Sequence, residues 1–392
     1  MAALINEKAN RIQKILEGID IPRSYYERAV DRYKSLSDWF CREESEIAQF
    51  KPAVYVQGSF RLGLVNRPIN PDEEYDLDVV CQLILRTKAD VTQEELKGMV
   101  GREVKAYAKA HGIIEPATER NRCWRIDYAD EVAFHIDILP CIPEDPAVVE
   151  ALVAVGVDHR LAQTAIALTC KEHADFQVIS NRWPMSNPAG FALWFEDRFG
   201  TVAAMRRQLL VESGVYKSIG VVPTYALKTP LQESIQILKR HRDFMFIKRP
   251  DLKPISMIIT TLAAHAYQGE SNLADALIGI LDRMGQFVAQ SRPRIPNPVN
   301  PGEDFADKWH SVASLEENFW NWLDQARRDF DRLLSLDDSV EVRKLSESKF
   351  GVSLPEEPRR SPAIIVGAQR TAPIAVADRG PKPWGRNGVS NP

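Results

Sequence analysis

Residues 53–85, AVYVQGSFRLGLVNRPINPDEEYDLDVVCQLIL, decide the fold. Residues 53–57 are mostly β-branched or aromatic, which predicts a short strand that ends at a Gly-Ser turn. Two prolines in residues 67–74 indicate a loop. Residues 75–85 first alternate and then become continuously apolar, which predicts a second strand that is buried over much of its length. The chain therefore places an acid-bearing strand shortly after a glycine turn.

Three acidic residues lie on predicted strands. Asp76 and Asp78 are two residues apart, so their side chains point to the same face, about 7 Å apart along the chain. Asp137 stands between two isoleucines in HIDILP (residues 135–140), an environment that disfavours an unpaired charge. One explanation is a metal site formed by all three carboxylates. The other is a salt bridge from Asp137 to a nearby arginine: Arg120, Arg122 or Arg125.

Carboxylates grouped in this way favour Mg²⁺, which prefers oxygen ligands and substrate phosphates. Three of them can hold two metal ions about 4 Å apart, the arrangement that serves phosphoryl and nucleotidyl transfer. Gly58 lets the backbone approach a phosphate closely, and Ser59 and the following N–H groups can bind its oxygens. The order of strand, Gly-Ser, Asp-x-Asp and a third Asp therefore predicts a metal-dependent site for a nucleoside triphosphate.

The rest of the first half predicts helices and a hairpin around this sheet. Residues 5–49 have helical periodicity with a break at 21–23, and residues 92–111 predict a helix with a capping box from Thr92 to Glu95. Residues 122–128 and 132–139 form a candidate hairpin with its turn at 129–131, and prolines 140, 143 and 146 are expected to end the sheet.

The second half is dominated by helical periodicity. The predicted helices are 191–212, 231–246, 256–267, 272–290 and 306–334, with a proline-rich loop at 292–304. Residues 361–392 contain five Pro and four Gly, which predicts a flexible tail. We therefore expect an α+β, bilobal protein: a catalytic lobe with N-terminal helices at 1–165, a helical lobe at 166–360 and the tail at 361–392.

Net charge, apolar runs and cysteine spacing argue against several classes of protein. The 392 residues carry a formal net charge of −4, which argues against long nucleic acid as a partner. No apolar run is long enough for a membrane span, and the N-terminus lacks the apolar core of a signal peptide. Five widely spaced cysteines do not suggest a disulfide framework, so a cytoplasmic location is expected.

These motifs together resemble the nucleotidyltransferase superfamily of the polymerase-β type, and most closely the bacterial cGAS/DncV-like nucleotidyltransferases (CD-NTases). The resemblance rests on residues 57–63, 74–80 and 135–140, and in the helical half on residues 231–243, 254–262 and 297–309. It implies a polymerase-β-like sheet lobe and an all-helical, OAS-like C-terminal lobe with the active site between them. It also implies synthesis of a cyclic di- or trinucleotide second messenger from NTPs in anti-phage (CBASS) defence.

The same resemblance implies roles for individual residues. Asp76, Asp78 and Asp137 would be the catalytic, metal-binding residues, with Mg²⁺ or Mn²⁺ as cofactor. The nucleotide would contact Gln57, Gly58, Ser59, Lys239, Ser256 and, at the pocket rim, Asp304. ATP and GTP are the expected substrates. The implied partners are a downstream effector, reached through the diffusible product, and a companion regulatory protein.

Several alternatives remain open. The same site would serve an enzyme that extends RNA 3′ ends or makes linear oligonucleotides, and a decayed site would leave a non-catalytic interaction protein. The alternative for the basic residues of the Lys239 helix is a solvated face, and the alternative for Ser256 is an N-cap. The aromatic stretch at 183–195 fits either base stacking or packing at the lobe junction. His135 shares a face with Asp137 and fits a pocket residue, but we favour its interpretation as a core histidine.

Overall fold

The computed structural model of the chain describes residues 2–70, 73–128, 134–212 and 227–355. Its helices are α1 (Ala2–Ile19), α2 (Arg23–Cys41), α3 (Gly58–Leu62), α4 (Gln93–Ala110), α5 (Pro146–Ala154), α6 (His159–Ala162), α7 (Pro188–Asp197), α8 (Gly200–Glu212), α9 (Pro230–Met245), α10 (Ser256–Ala266), α11 (Leu273–Arg283), α12 (Ala313–Ser335) and α13 (Ser339–Phe350). The predicted turn at 129–131 and the predicted tail at 361–392 lie outside the described residues.

The strands are β1 (Pro52–Val56), β2 (Tyr75–Leu83), β3 (Thr118–Glu119), β4 (Trp124–Tyr128), β5 (Phe134–Pro143), β6 (Ile166–Leu168), β7 (Met185–Ser186), β8 (Pro296–Asn297) and β9 (Asn300–Asp304). The main sheet has the order β1-β2-β5-β4-β3, and β6 pairs with the end of β5 and with β7. β2 and β5 are parallel, whereas the other pairs are antiparallel. β8 and β9 form a separate hairpin.

One face of the sheet is a hydrophobic core. Leu77 and Val79 of β2 and Ile136 and Ile138 of β5 are buried against apolar residues of α2 and α4. Because strand side chains alternate between faces, the residues between them, Asp76, Asp78, His135 and Asp137, lie on the opposite face. The burial of one face thus determines where the acids are presented.

A second core lies among the helices. It combines buried side chains of α1 with those of α7 and of α9 to α13. α9 begins with a capping box in which Thr229 accepts from the Gln232 N–H, and it brings a mostly buried helix across this core. Among the described helices, none combines the length and the apolar character needed to span a membrane.

Most predicted elements are confirmed, with several corrections. The Thr92–Glu95 capping box is present, and Gly112 follows α4 with a φ of +63°. The predicted helix at 191–212 is two helices, and the one at 306–334 begins at Ala313. Residues 272–290 form α11 followed by a 3₁₀ turn, and the proline-rich loop contains the β8–β9 hairpin. α13 follows the last helix that was predicted.

The expectation that Pro140 ends the sheet is wrong. β5 continues to Pro143, and Pro140 accepts a hydrogen bond from the Thr169 N–H. β4 pairs only as far as Ile138, so the missing N–H of Pro140 points to the side where that partner has already ended. β6 then pairs with residues Cys141 to Pro143 on that side.

Candidate active site

The parallel pairing of β2 with β5 brings the predicted acids together. In this register Asp78 is the partner of Asp137, and Asp76 is the partner of His135. The pairing therefore groups side chains that are about sixty residues apart in the sequence on one face of the sheet.

The Gly-Ser turn lies directly beside Asp78. The Gln57 N–H donates to the Asp78 carbonyl at 2.9 Å, which fixes the end of β1 against β2. Gly58 has a φ of +63°, and a Cβ added there would overlap the Asp78 carboxylate. Glycine is therefore needed here for two reasons, backbone conformation and close approach. Ser59 follows on the first turn of α3.

The Asp137 carboxylate has a cationic partner. Arg125 of β4 donates from Nε to Oδ1 at 2.8 Å and from Nη2 to Oδ2 at 2.7 Å. Burial acts to raise the pKa of Asp137, but the Arg125 guanidinium outweighs it and the pKa is lowered. The salt bridge weighed as one of two explanations for Asp137 is present, and its partner is Arg125.

Asp78 has the opposite electrostatic environment. No described residue donates a hydrogen bond to its carboxylate. Burial, together with the charges of Asp76 and Asp137, raises its pKa to about 7. The negative charge of a buried carboxylate with two acidic neighbours is unfavourable unless a proton or a cation neutralises it. Carboxylate oxygens are ligands for Mg²⁺.

His135 belongs to this cluster of acids, so its interpretation as a core histidine is wrong. Its Nε2 lies 3.0 Å from Asp76 Oδ1 and its Nδ1 lies 3.1 Å from Glu74 Oε2. The hydrogen bond to Asp76 raises the pKa of His135. Potential ligand atoms of Asp76, His135 and Asp137 all lie within 4.8 Å of one another. The i, i+2 spacing of His135 and Asp137 was the signal for this placement.

A cavity of about 470 Å³ lies next to the acids, and we call it the basic cavity. Its lining includes Ser59, Asp76, Lys239 and Ser256, which come from α3, β2, α9 and α10. The cationic side chains Arg67, Arg240, Arg242 and Lys253 also line it. Three residues predicted to contact the nucleotide and one predicted metal ligand are therefore brought together, although Ser59 and Ser256 are nearly 200 residues apart in sequence.

Lys239 and Ser256 are held by neighbouring groups. Lys239 Nζ donates to the Leu64 carbonyl at 2.8 Å, and burial together with the Arg242 charge lowers its pKa to about 8. Ser256 Oγ accepts from Arg242 Nη1 at 3.2 Å. The N-cap of α10 is Ile255, so Ser256 is the first helical residue and not the cap that was considered.

A smaller cavity of about 220 Å³ lies on the other side of the Gly-Ser turn, and we call it the aromatic cavity. Gln57 and Gly58 line it, together with Arg61, Phe191, Met257, Asn297, Glu303 and Phe305. Of the aromatic stretch at 183–195, Ser186, Asn187, Pro188, Phe191 and Ala192 contribute to this lining. Trp183, Trp194 and Phe195 are buried in the two cores.

Asp304 does not line the basic cavity or the aromatic cavity. Its carboxylate accepts backbone N–H groups of Arg294, Ile295 and Ala306 at 2.9–3.0 Å. These bonds organise the β8–β9 segment, while the adjacent residues Glu303 and Phe305 line the aromatic cavity. A role for Asp304 at the pocket rim stays a prediction.

Comparisons with known proteins agree with this geometry. The family model "Cyclic GMP-AMP synthase DncV-like, nucleotidyltransferase domain" matches residues 52–140, which span β1 to β5. A c-di-GMP synthase of Roseivirga ehrenbergii is 26% identical over 345 residues, which cover 87% of this chain and 83% of that protein. The cyclic dinucleotide synthase CdnG of Bradyrhizobium diazoefficiens is 24% identical, over 74% of this chain and 67% of that protein.

The fold is shared as well. The structure of B. diazoefficiens CdnG in complex with GTP superimposes with a TM-score of 0.63 at 21% identity, covering 87% of this chain and 94% of that one. A mutant of the Vibrio cholerae di-nucleotide cyclase DncV in complex with ATP, GTP and 5MTHFGLU2 gives a TM-score of 0.52 at 15% identity, covering 90% of this chain and 89% of that one. The family match over residues 52–140 and the related sequences support a DncV-like nucleotidyltransferase of the CD-NTase type, a cyclic oligonucleotide synthase, and the solved structures show that the α+β fold is shared.

Proposed function

We propose that this chain joins nucleoside triphosphates into a cyclic di- or trinucleotide second messenger, by attack of a ribose hydroxyl on the α-phosphate of a bound NTP. The observation that carries the proposal is the register of β2 and β5. It places Asp76, Asp78 and Asp137 on one face, beside the Gly58 turn and the basic cavity.

The residues at this face fit a divalent cation. The Asp78 carboxylate lacks a hydrogen-bond donor among the described residues, and burial together with the neighbouring carboxylates raises its pKa to about 7. Oxygen ligands of this kind favour Mg²⁺ or Mn²⁺. Asp76, Asp78 and Asp137 would hold the cations, which when bound activate the attacking hydroxyl and neutralise the leaving pyrophosphate.

The residues of the basic cavity would bind the triphosphate. Ser59 offers its hydroxyl beside the exposed N–H groups at the start of α3, while Lys239 supplies a positive charge. Ser256 at the first turn of α10 offers a hydroxyl where N–H groups favour phosphate. These groups come from both halves of the chain, so a bound NTP would bridge them.

In the proposed reaction the acceptor hydroxyl oxygen forms a bond to the α-phosphorus, and the bond to the bridging oxygen breaks. Pyrophosphate leaves toward Lys239 and Ser256, and the hydroxyl proton passes to a carboxylate of the trio. The linear product then rebinds with its own triphosphate in the donor position. A second or third transfer closes the ring.

The domain division belongs to the same proposal. We assign residues 1–165 to the catalytic lobe, 166–360 to the helical lobe and 361–392 to a tail. The contacts from α9 to the end of α3 and to the segment that follows it support a site shared by both halves. Gln232 Nε2 donates to the Leu62 carbonyl at 2.9 Å, and Gln236 Nε2 donates to the Val65 carbonyl at 2.7 Å.

The cellular role follows from the family. The product would act on a downstream effector in anti-phage (CBASS) defence. A structure of Escherichia coli CdnC with a HORMA protein, which aligns with this chain at a TM-score of 0.55, suggests a companion regulatory protein as a further partner.

Product identification tests the proposal. The purified chain is incubated with all four labelled NTPs and Mg²⁺, and the products are characterised by nuclease digestion and mass spectrometry. A product without free 5′-phosphates or 3′ ends supports cyclisation. A linear oligonucleotide, or activity that depends on added RNA, would favour the alternative nucleotidyltransferases. No release of pyrophosphate with any NTP mixture would favour a non-catalytic protein.

A further inference from the structure

The aromatic cavity adjoins the basic cavity through consecutive residues. Gly58 lines the aromatic cavity, and the next residue, Ser59, lines the basic cavity. Likewise, Met257 lines the aromatic cavity, and the residue before it, Ser256, lines the basic cavity. The two cavities thus meet along the first turns of α3 and α10. A nucleotide with its phosphates against Ser59 and Ser256 has the aromatic cavity within reach of its base.

The size and walls of the aromatic cavity suit one nucleobase. Its volume of about 220 Å³ lies below the roughly 300–1,000 Å³ of sites that enclose whole drug-sized ligands. Phe191, Met257 and Phe305 give it apolar walls, and the Phe191 and Phe305 rings meet edge to face with centroids 6.1 Å apart. Aromatic faces stack on bases of every type, so these walls do not select among bases.

Selection among bases needs a polar group that is held in place, and Glu303 is held. Asn297 is buried, and its Oδ1 accepts the Val299 N–H at 3.1 Å, which fixes the orientation of its amide. Asn297 Nδ2 then donates to Glu303 Oε2 at 2.7 Å. The other Glu303 oxygen has no partner among the described residues.

Two other polar side chains of the lining, Asn187 and Arg61, already have partners within the protein. Asn187 accepts from the Gly190 N–H and the Thr164 hydroxyl, and it donates to the Leu161 carbonyl. Arg61 is ion-paired with Glu196. Glu303 is the carboxylate among the described lining residues, whereas the remaining polar residues of the lining, Gln57 and Ser186, are neutral.

We propose that Glu303 makes the aromatic cavity selective for guanine. An ionised carboxylate only accepts hydrogen bonds. Guanine presents two adjacent donors, N1–H and N2–H, that such a group can bind side by side, whereas adenine and cytosine each present a ring nitrogen that repels it. Uracil offers a single donor flanked by two carbonyl oxygens. A guanine nucleotide is therefore the substrate whose base can donate two hydrogen bonds to the Glu303 carboxylate.

This inference rests on the proposed function, and a binding experiment separates the two. The full chain is titrated with non-hydrolysable GTP and ATP analogues in the presence of Mg²⁺, and the ratio of the two dissociation constants is measured. We expect the wild type to favour the GTP analogue. Glu303→Gln, which replaces one acceptor oxygen with an NH₂ donor that fits adenine N1, should lower that preference about 10- to 100-fold. Glu303→Ala should also lower it, because the hydrogen bonds to guanine and the repulsion of adenine are lost together.

The matched control is Glu317→Gln, the same chemical change at an exposed position of α12. It should keep the wild-type ratio, and unchanged melting temperatures would show that all variants fold. An unaltered GTP preference in Glu303→Gln, or a wild type that favours the ATP analogue, overturns the assignment of Glu303 alone. A wild type that binds neither analogue overturns the proposed function as well.

Discussion

Arg125 on β4 and Asp137 on β5 are direct cross-strand partners, and the Arg125 guanidinium donates to both oxygens of the Asp137 carboxylate. One acid of the trio is thus charge-compensated by the protein itself, whereas its parallel-strand partner Asp78 is not. Arg125 limits the repulsion among three carboxylates and orients Asp137. It is also the group with which a cation would share that carboxylate.

Replacing Arg125 should make the fold depend more on a divalent cation. Arg125→Gln leaves Asp137 without its partner, and we expect a loss of about 2 kcal/mol in the free energy of unfolding without metal. Added Mg²⁺ should restore part of this loss, because a cation then replaces the missing charge. Melting temperatures measured with increasing Mg²⁺ test this.

The control for Arg125 is Arg122→Gln, because Arg122 is exposed just before β4. It should show the wild-type response to Mg²⁺. An equal Mg²⁺-induced rise in Arg125→Gln and in the wild type would contradict the view that Arg125 compensates this site.

Gly58 and Gly112 form a matched pair of substitutions. Both have a φ of +63°, but an added Cβ meets the Asp78 carboxylate at Gly58 and nothing within 4 Å at Gly112. Each alanine variant should lose about 1–2 kcal/mol in unfolding free energy from the backbone conformation. Only Gly58→Ala should also displace Asp78 and lower the rate of pyrophosphate release, by about 100-fold. Similar rates in the two variants would argue against this contact.

Lys239 should make nucleotide binding depend on pH. Its lowered pKa of about 8 means that it is mostly charged near pH 7 and mostly neutral near pH 9, so triphosphate affinity should fall as pH rises between them. Lys239→Arg keeps its charge and should flatten this dependence. Measurement of KM for the NTP across this range, at saturating Mg²⁺, tests the assignment. Parallel pH profiles for the two proteins would contradict it.

The sequence predicted those parts of the site that are set by local pattern. The alternation in β2 and β5 was enough to place Asp76, Asp78 and Asp137 on one face, and the Thr92 capping box was evident from its spacing. Arg125 could only be included in a group of three candidates, because cross-strand register decides which arginine meets Asp137. No sequence pattern indicated Glu303 as a site residue, because its position depends on the β8–β9 hairpin and on the buried Asn297.

The other wrong predictions concern residues whose environment depends on pairing between segments that are distant in the sequence. Beyond Pro140, β5 pairs with the end of β2 and with β6, which is only three residues long and lies more than twenty residues further along the chain. Local propensity does not encode such a partner. For the same reason His135 was interpreted as a core residue, although its ring lies between Glu74 and Asp76.

The helix that carries Lys239 should be stabilised in a pH-dependent way. Asp329 of α12 accepts from His241 of α9 at 3.0 Å and lies 3.0 Å from Lys349 of α13. Burial alone would raise the pKa of Asp329, but these partners lower it to about 2. Its stabilising effect is therefore present above the unfolded pKa of about 4 and is lost as pH falls toward 2.

Asp329→Asn should lower the free energy of unfolding by about 2 kcal/mol near neutral pH. The difference from the wild type should shrink as the pH falls below about 4. Urea denaturation at neutral pH and at about pH 3.5 measures this difference. A difference that is the same at both values would contradict the role assigned to Asp329.

The central claim, that the acids on β2 and β5 perform nucleotidyl transfer, is tested most directly by pyrophosphate release from the Asp78→Asn variant. The wild type with NTPs and Mg²⁺ should release pyrophosphate, and the variant should release none while it retains the wild-type melting temperature or a higher one. The higher value is expected because burial and two neighbouring carboxylates disfavour the Asp78 charge. Wild-type release of pyrophosphate by a folded Asp78→Asn variant would contradict the account.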